Sequence, residues 1–159
     1  MHIAIYPGSF DPITYGHLDI IMRGSRIFQK LIVAVSVNSA KEPLFSIPER
    51  LEMLTEAVKN WTSVQTDSFE GLLVDYVHRQ NSRVILRGLR ATSDFEYELQ
   101  ISSLNRQIGG TIETLFLMSD SQHSYISSGM VKEVAQYGAP LHALVPPHVG
   151  TALRSKFQQ

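Results

Sequence analysis

The stretch Ile3-Ala4-Ile5-Tyr6-Pro7-Gly8-Ser9-Phe10-Asp11-Pro12-Ile13-Thr14-Tyr15-Gly16-His17 decides the fold. It runs from a short apolar segment through a turn-forming loop into a segment where Leu18, Ile21, Met22 and Phe28 recur at helical spacing. The apolar run Leu31 to Val37 then follows, so the opening reads strand, loop, core-facing helix, strand. Working outward, further strands are expected at Val64 to Thr66, Val84 to Leu86 and Leu115 to Met118. Ser46 with Glu49 forms a capping-box pattern around Pro48, ahead of the apolar stripe Leu51, Leu54 and Val58. A third helix is expected from Leu72 to Gln80. A fourth starts with Ser93 and Glu96, carries Tyr97, Ile101, Leu104 and Ile108 at helical spacing, and stops at Gly109-Gly110. Ser127 or Ser128 caps a helix through about Tyr137, and Pro146-Pro147 separates it from a last helix ending near Phe157. Five strands with right-handed crossovers predict an α/β fold: a Rossmann-like, doubly wound, five-stranded parallel sheet with helices on both faces.

The chain has 159 residues, 43% hydrophobic, which suits one domain over residues 1–159 with a core burying roughly two-thirds of the unfolded surface. A formal charge of -1 offers no general field for a nucleic-acid backbone or an anionic membrane, so neither is expected as a partner. Any anion site must be local. With no cysteine, disulfides and thiolate metal sites are excluded, and a soluble, unprocessed, cytoplasmic protein is expected.

In such a sheet, ligands sit beyond the carboxyl ends of the strands. The first loop there joins Gly8, which permits close backbone approach, to the hydroxyl of Ser9 and to a helix start whose free N–H groups and positive dipole end suit phosphate. His17 lies in the first helical turn, where that dipole disfavours the imidazolium and a neutral, donating ring is expected. The same residues also admit a plainer account, a turn at Gly8 and Asp11-Pro12 with Thr14 as helix cap. Arg87-Gly88-Leu89-Arg90 reads as a loop placing two guanidinium groups around a flexible glycine, suited to phosphate or, alternatively, to pairing with Asp94 or Glu98. Lys41 follows the second strand as a mobile point charge, and Ser124-Tyr125-Ile126-Ser127-Ser128-Gly129 is a hydroxyl-rich approach to a helix start. No Walker, dinucleotide-binding, metalloprotease or nucleophile-elbow motif is present.

Tyr6 to His17, with its Thr-x-Gly-His element, resembles the amino-terminal signature of nucleotidylyltransferases, the counterpart of the His-Ile-Gly-His motif in class I aminoacyl-tRNA synthetases. The likeness continues through Lys41, Arg87-Gly88-Leu89-Arg90 with Asp94-Phe95-Glu96-Tyr97-Glu98, and Ile126-Ser127-Ser128 with Val131-Lys132-Glu133-Val134. Together these blocks resemble the bacterial phosphopantetheine adenylyltransferase family over essentially the whole chain. The resemblance implies transfer of an adenylyl group from ATP to 4'-phosphopantetheine, with magnesium, giving dephospho-coenzyme A and pyrophosphate. It implies ATP contacts at Ser9, Phe10, His17, Gly88, Leu89, Arg90, Glu98 and the run His123, Ser124, Tyr125, Ile126, Ser127, Ser128 and Gly129. It places the acceptor at Ser9, Lys41, Leu73 and Arg87, gives His17 transition-state stabilisation, and leaves the metal ligands unassigned. It also implies a homohexamer, with coenzyme A as a candidate feedback ligand. Three positions depart from the family pattern: Ser9 where threonine is usual, Gly129 where a third serine is frequent, and Glu42 where a second lysine is often seen. Two other readings stay open, a nucleotidyltransferase with another acceptor, such as nicotinamide mononucleotide or glycerol phosphate, and a noncatalytic nucleotide sensor.

Overall fold

The computed structural model describes residues 2–37, 42–90 and 92–158, with Thr92 and Ser93 described by backbone. Its strands are β1 (Ile3–Gly8), β2 (Lys30–Ser36), β3 (Val64–Phe69), β4 (Val84–Leu89) and β5 (Glu113–Met118). Its helices are α1 (Tyr15–Ile27), α2 (Ile47–Val58), α3 (Leu73–Arg79), α4 (Thr92–Gly109), α5 (Ser128–Gln136) and α6 (Pro147–Phe157). The strands form one parallel sheet in the order β3-β2-β1-β4-β5. The expected Rossmann-like α/β architecture is therefore present.

Side-chain alternation along the central strands divides two apolar layers. Ala4, Tyr6, Leu31, Val33, Val35 and Leu86 face a core completed by Ile20 and Ile21 of α1, Leu54 of α2, Val131 of α5 and Leu153 of α6. Ile5, Ile32, Ala34 and Ile85 face the opposite layer, with Val74 and Val77 of α3. Helix α1 lies close on its face because of Gly24, where an added Cβ would stand 2.7 Å from Leu86 Cδ2 and 3.2 Å from Leu31 Cδ2.

The capping box at Ser46 is formed as expected: Glu49 N–H donates to Ser46 Oγ and Ser46 N–H donates to the Glu49 carboxylate. Helix α4 ends at Gly109 and is followed by Gly110 in the left-handed region at φ 67°. Four expectations need correction. Strand β4 runs to Leu89, with Arg87, Gly88 and Leu89 paired to Phe116, Leu117 and Met118, so Arg87-Gly88-Leu89 is strand and not loop. Gly88 supplies space there rather than flexibility, since a Cβ would stand 2.9 Å from Ile20 Cγ1. Phe28 lies just past the end of α1, and Ser93 lies inside α4, which begins at Thr92. The helical stripe of α4 is largely open, with Tyr97 64%, Leu104 54% and Ile108 51% exposed beside exposed Leu115 and Met118 of β5.

Gly24→Val should lower unfolding stability by about 1–3 kcal/mol, the usual cost of overpacking a tight core, read as a shift in the urea midpoint. An unchanged midpoint would show that Leu31 and Leu86 yield without strain.

Candidate active site

Strand β1 lies between β2 and β4. The chain wraps one face of the sheet on the β2 side and crosses to the other face before β4, so the crevice opens beyond the carboxyl ends of β1 and β4. The loop leaving β1 is rigidly seated. Phe10 adopts φ 45° and is 2% exposed, its ring edge-on to Tyr6 at 5.4 Å and to His17 at 5.0 Å. A bulky residue in the left-handed region is costly and persists where its surroundings over-determine it. Asp11 is buried, accepting from Leu44 N–H and Phe45 N–H, each at 2.9 Å, and from Lys132 Nζ at 2.9 Å. Arg50 NH1 donates to the Ser9 carbonyl at 2.8 Å. Ser9 itself stays exposed at the crevice mouth.

Thr14 caps α1, accepting from His17 N–H, while Thr14 N–H donates to His17 Nδ1 at 3.0 Å. An amide N–H can donate only to an unprotonated ring nitrogen, so the neutral ring carries its proton on Nε2. Burial foremost, together with the positive charges of Arg90 and Arg87, lowers the ring's pKa from 6.5 to about 3. All three causes favour the neutral form. His17 is therefore a fixed, uncharged donor.

Arg87 and Arg90 are both already engaged. Arg87 Nε and NH2 fork onto the two oxygens of Glu98 at 2.9 and 2.5 Å, and NH1 donates to the Pro7 carbonyl at 2.7 Å. Glu98 is 8% exposed, so this is a held pair that fixes the guanidinium against β1. Arg90 Nε meets Asp94 at 3.1 Å, and NH1 donates to the Ile126 carbonyl at 3.2 Å. The side chains of that second pair are 40% and 32% exposed, a setting where an ion pair is worth about 0–1 kcal/mol. Exchanging Asp94 for a phosphate would cost little at Arg90, whereas Arg87 is built in.

Two cavities meet at Arg87. One, of about 440 Å³, is lined by Ser9, Phe10, His17, Arg90 and the start of α5. The other, of about 680 Å³, is lined by Ser36, Phe69, Leu73, Ile101 and Asn105. Pro7, Gly8, Arg87, Tyr97 and Glu98 border both. Ile126, Ser127, Ser128 and Gly129 line the smaller cavity. Ser127 caps α5 through its bond from Met130 N–H, and Ser128 Oγ donates to the Pro12 carbonyl at 2.7 Å. The N–H groups of Ser128 and Gly129 belong to the first turn, which has no intrahelical acceptors, so the smaller cavity lies between the amino-terminal ends of α1 and α5.

Ser9, Phe10, His17, Gly88, Arg90, Glu98, Ile126, Ser127, Ser128 and Gly129 are thus brought together, with Arg87 on the shared wall and Leu73 in the second cavity. Leu89, His123, Ser124 and Tyr125 do not line either of these two cavities: Leu89 is buried, Tyr125 is 57% exposed, and His123 borders a separate apolar hollow with Tyr15, Trp61 and Pro146. Lys41 lies outside the described residues. The sequence assigns no site role to Arg50, and it places Tyr97, on the shared wall, only in the stripe and motif of α4. Arg50 left a signal, since a cation near the positive end of α2 is electrostatically mismatched unless a tertiary partner holds it.

The chain resembles known proteins along nearly its whole length. The sequence pattern of the cytidylyltransferase-like family matches residues 5–134. The phosphopantetheine adenylyltransferase of Geobacter metallireducens is 56% identical over 157 residues, covering 99% of this chain and 96% of that protein. The enzyme of the same name from Caldanaerobacter subterraneus subsp. tengcongensis is 52% identical over 159 residues, covering 100% and 99%. Among solved structures, a candidate nicotinate-nucleotide adenylyltransferase from Vibrio parahaemolyticus shares the fold at TM-score 0.71 and 15% identity, over 96% of this chain and 99% of that one. At 52% and 56% identity along essentially its whole length, the chain belongs to the phosphopantetheine adenylyltransferase family.

Proposed function

We infer that the protein transfers the adenylyl group of ATP to 4'-phosphopantetheine, reversibly giving dephospho-coenzyme A and pyrophosphate, the penultimate step of coenzyme A synthesis. The observation that carries this reading is Arg87 on the wall between the two cavities, with His17 on one side and Leu73 on the other. ATP occupies the smaller cavity, its phosphates between the starts of α1 and α5 and beside Arg90. The acceptor lies in the larger one, its phosphate drawn to Arg87 and its arm along Phe69, Leu73 and Ile101. Lys41 is assigned to the acceptor phosphate, and His123 to Tyr125 to the nucleotide, by the family resemblance.

The acceptor phosphate is largely ionised at neutral pH, its second pKa being near ~6, so the nucleophile needs no general base. One of its oxygens bonds to the α-phosphorus of ATP while the bond from that phosphorus to the bridging oxygen breaks, and pyrophosphate leaves in line. His17 Nε2–H donates to the α-phosphate oxygen on which charge grows, and the ring stays neutral throughout. Magnesium would neutralise phosphate charge when bound. Among the described residues no cluster of three ligating side chains exists, and Asp11, Asp94 and Glu98 each hold a cation, so its fit is to the nucleotide's own phosphates and water.

The open apolar stripe of α4 beside the β5 edge supports self-association, and the family resemblance makes the assembly a hexamer. Coenzyme A, which carries the pantetheine arm, is proposed as a feedback ligand of the acceptor cavity. No described helix is long and apolar enough to cross a membrane, and the proposed setting is the cytoplasm.

Pyrophosphate release from ATP, measured with phosphopantetheine, nicotinamide mononucleotide and glycerol phosphate, should occur with the first alone. Release with another acceptor reassigns the larger cavity, and release with none leaves a nucleotide sensor. His17→Ala should lower kcat by about 10²- to 10³-fold with little change in the KM for ATP. A raised KM with kcat intact would make His17 a ground-state ligand.

A further inference from the structure

We propose that Asp11 and Lys132 form a positioning clamp that sets the loop of Ser9 and Phe10 along the nucleotide cavity, an inference that rests on the adenylyl-transfer reading. Neither residue lines either cavity. The Asp11 carboxylate is nevertheless the anionic centre of three ties. Its Oδ1 accepts from Phe45 N–H, and its Oδ2 accepts from Leu44 N–H and from Lys132 Nζ, all at 2.9 Å. Leu44 and Phe45 lead into the cap of α2, while Lys132 stands one turn into α5, whose first residues face the nucleotide cavity.

Neighbouring bonds repeat the pattern. Ser128 Oγ of α5 holds the Pro12 carbonyl, and Arg50 of α2 holds the Ser9 carbonyl. Ser9, Asp11 and Pro12 are therefore each fixed by a named tie, to α5 on one side and to the α2 segment on the other. Arg50 is itself 5% exposed, its pKa lowered by burial and raised by the charge of Asp11. A carboxylate that is 7% exposed between two cations is costly to desolvate unless it is paired, and apolar contacts would hold a loop at less expense. What the charged tie adds is direction. In-line attack needs the acceptor oxygen and the α-phosphorus aligned, and a misplacement of about 1 Å costs on the order of 10²-fold in rate.

The test compares wild type with Lys132→Met, which removes the charge but leaves both amide bonds to Asp11, and with Lys132→Arg, which keeps the pair. With ATP and phosphopantetheine, Lys132→Met should lower kcat about 10- to 100-fold while each KM stays within about threefold, and Lys132→Arg should keep most of the wild-type rate. Thermal midpoints confirm folding, and Lys132→Gln carries the same expectation if the methionine variant does not fold. A folded Lys132→Met enzyme with wild-type kcat overturns the clamp, as does a loss confined to the KM for ATP, which would make Lys132 a nucleotide ligand. Wild type inactive with phosphopantetheine refutes the functional reading instead, so the two failures are distinct.

Discussion

The bond from Thr14 N–H to His17 Nδ1 is short, local and made between residues three apart, yet the proposed chemistry depends on it. It uses the one lone pair of a neutral imidazole, so the ring's proton must sit on Nε2. Protonation at Nδ1 would break the bond and set an imidazolium beside Arg87, Arg90 and the positive end of α1, all of which oppose it. The helix cap and the donor proposed for the transfer are thus one structural device. The edge of Phe10 steadies the ring from the side, and Phe10 is itself held in a left-handed conformation by its burial.

Around that donor, charges are paired before any substrate arrives. Glu98 holds Arg87, Asp94 holds Arg90, and Asp11 holds Lys132. The pairs differ in how easily they open. Arg90 sits at the surface, where exchanging a carboxylate for a phosphate is nearly neutral, while Arg87 is anchored by a buried fork and by the Pro7 carbonyl. In the proposed reaction Arg90 follows the nucleotide, and Arg87 is a fixed post between the two cavities. Preorganised charge of this kind suits a transfer whose nucleophile arrives already ionised.

Much of this was legible in the sequence because the signals are local. Alternating apolar runs gave the sheet, and Ser46 with Glu49 marked the start of α2. The sequence admits either a phosphate-binding helix start or a plain turn capped by Thr14, and the structure shows the Thr14 cap with His17 Nδ1 accepting from Thr14 N–H. What could not be read depends on contacts distant along the chain. Arg87-Gly88-Leu89 looked like a loop because of its glycine, but Gly88 is required by Ile20 of α1. The polar residues Gln65, Asp67 and Ser68 hid the length of β3, which lies at the sheet edge. The tie from Asp11 to Lys132 spans 121 positions, and no pattern within either segment predicts it.

The most direct measurement is of the His17 ring itself, by nitrogen NMR of the folded protein with His17→Asn used to assign its signals. A neutral ring with the proton on Nε2, unchanged from about pH 8 to about pH 5, is the predicted result, because the folded-state pKa lies well below the ordinary value near 6.5. A proton on Nδ1, or a titration midpoint near ~6.5, would contradict the account.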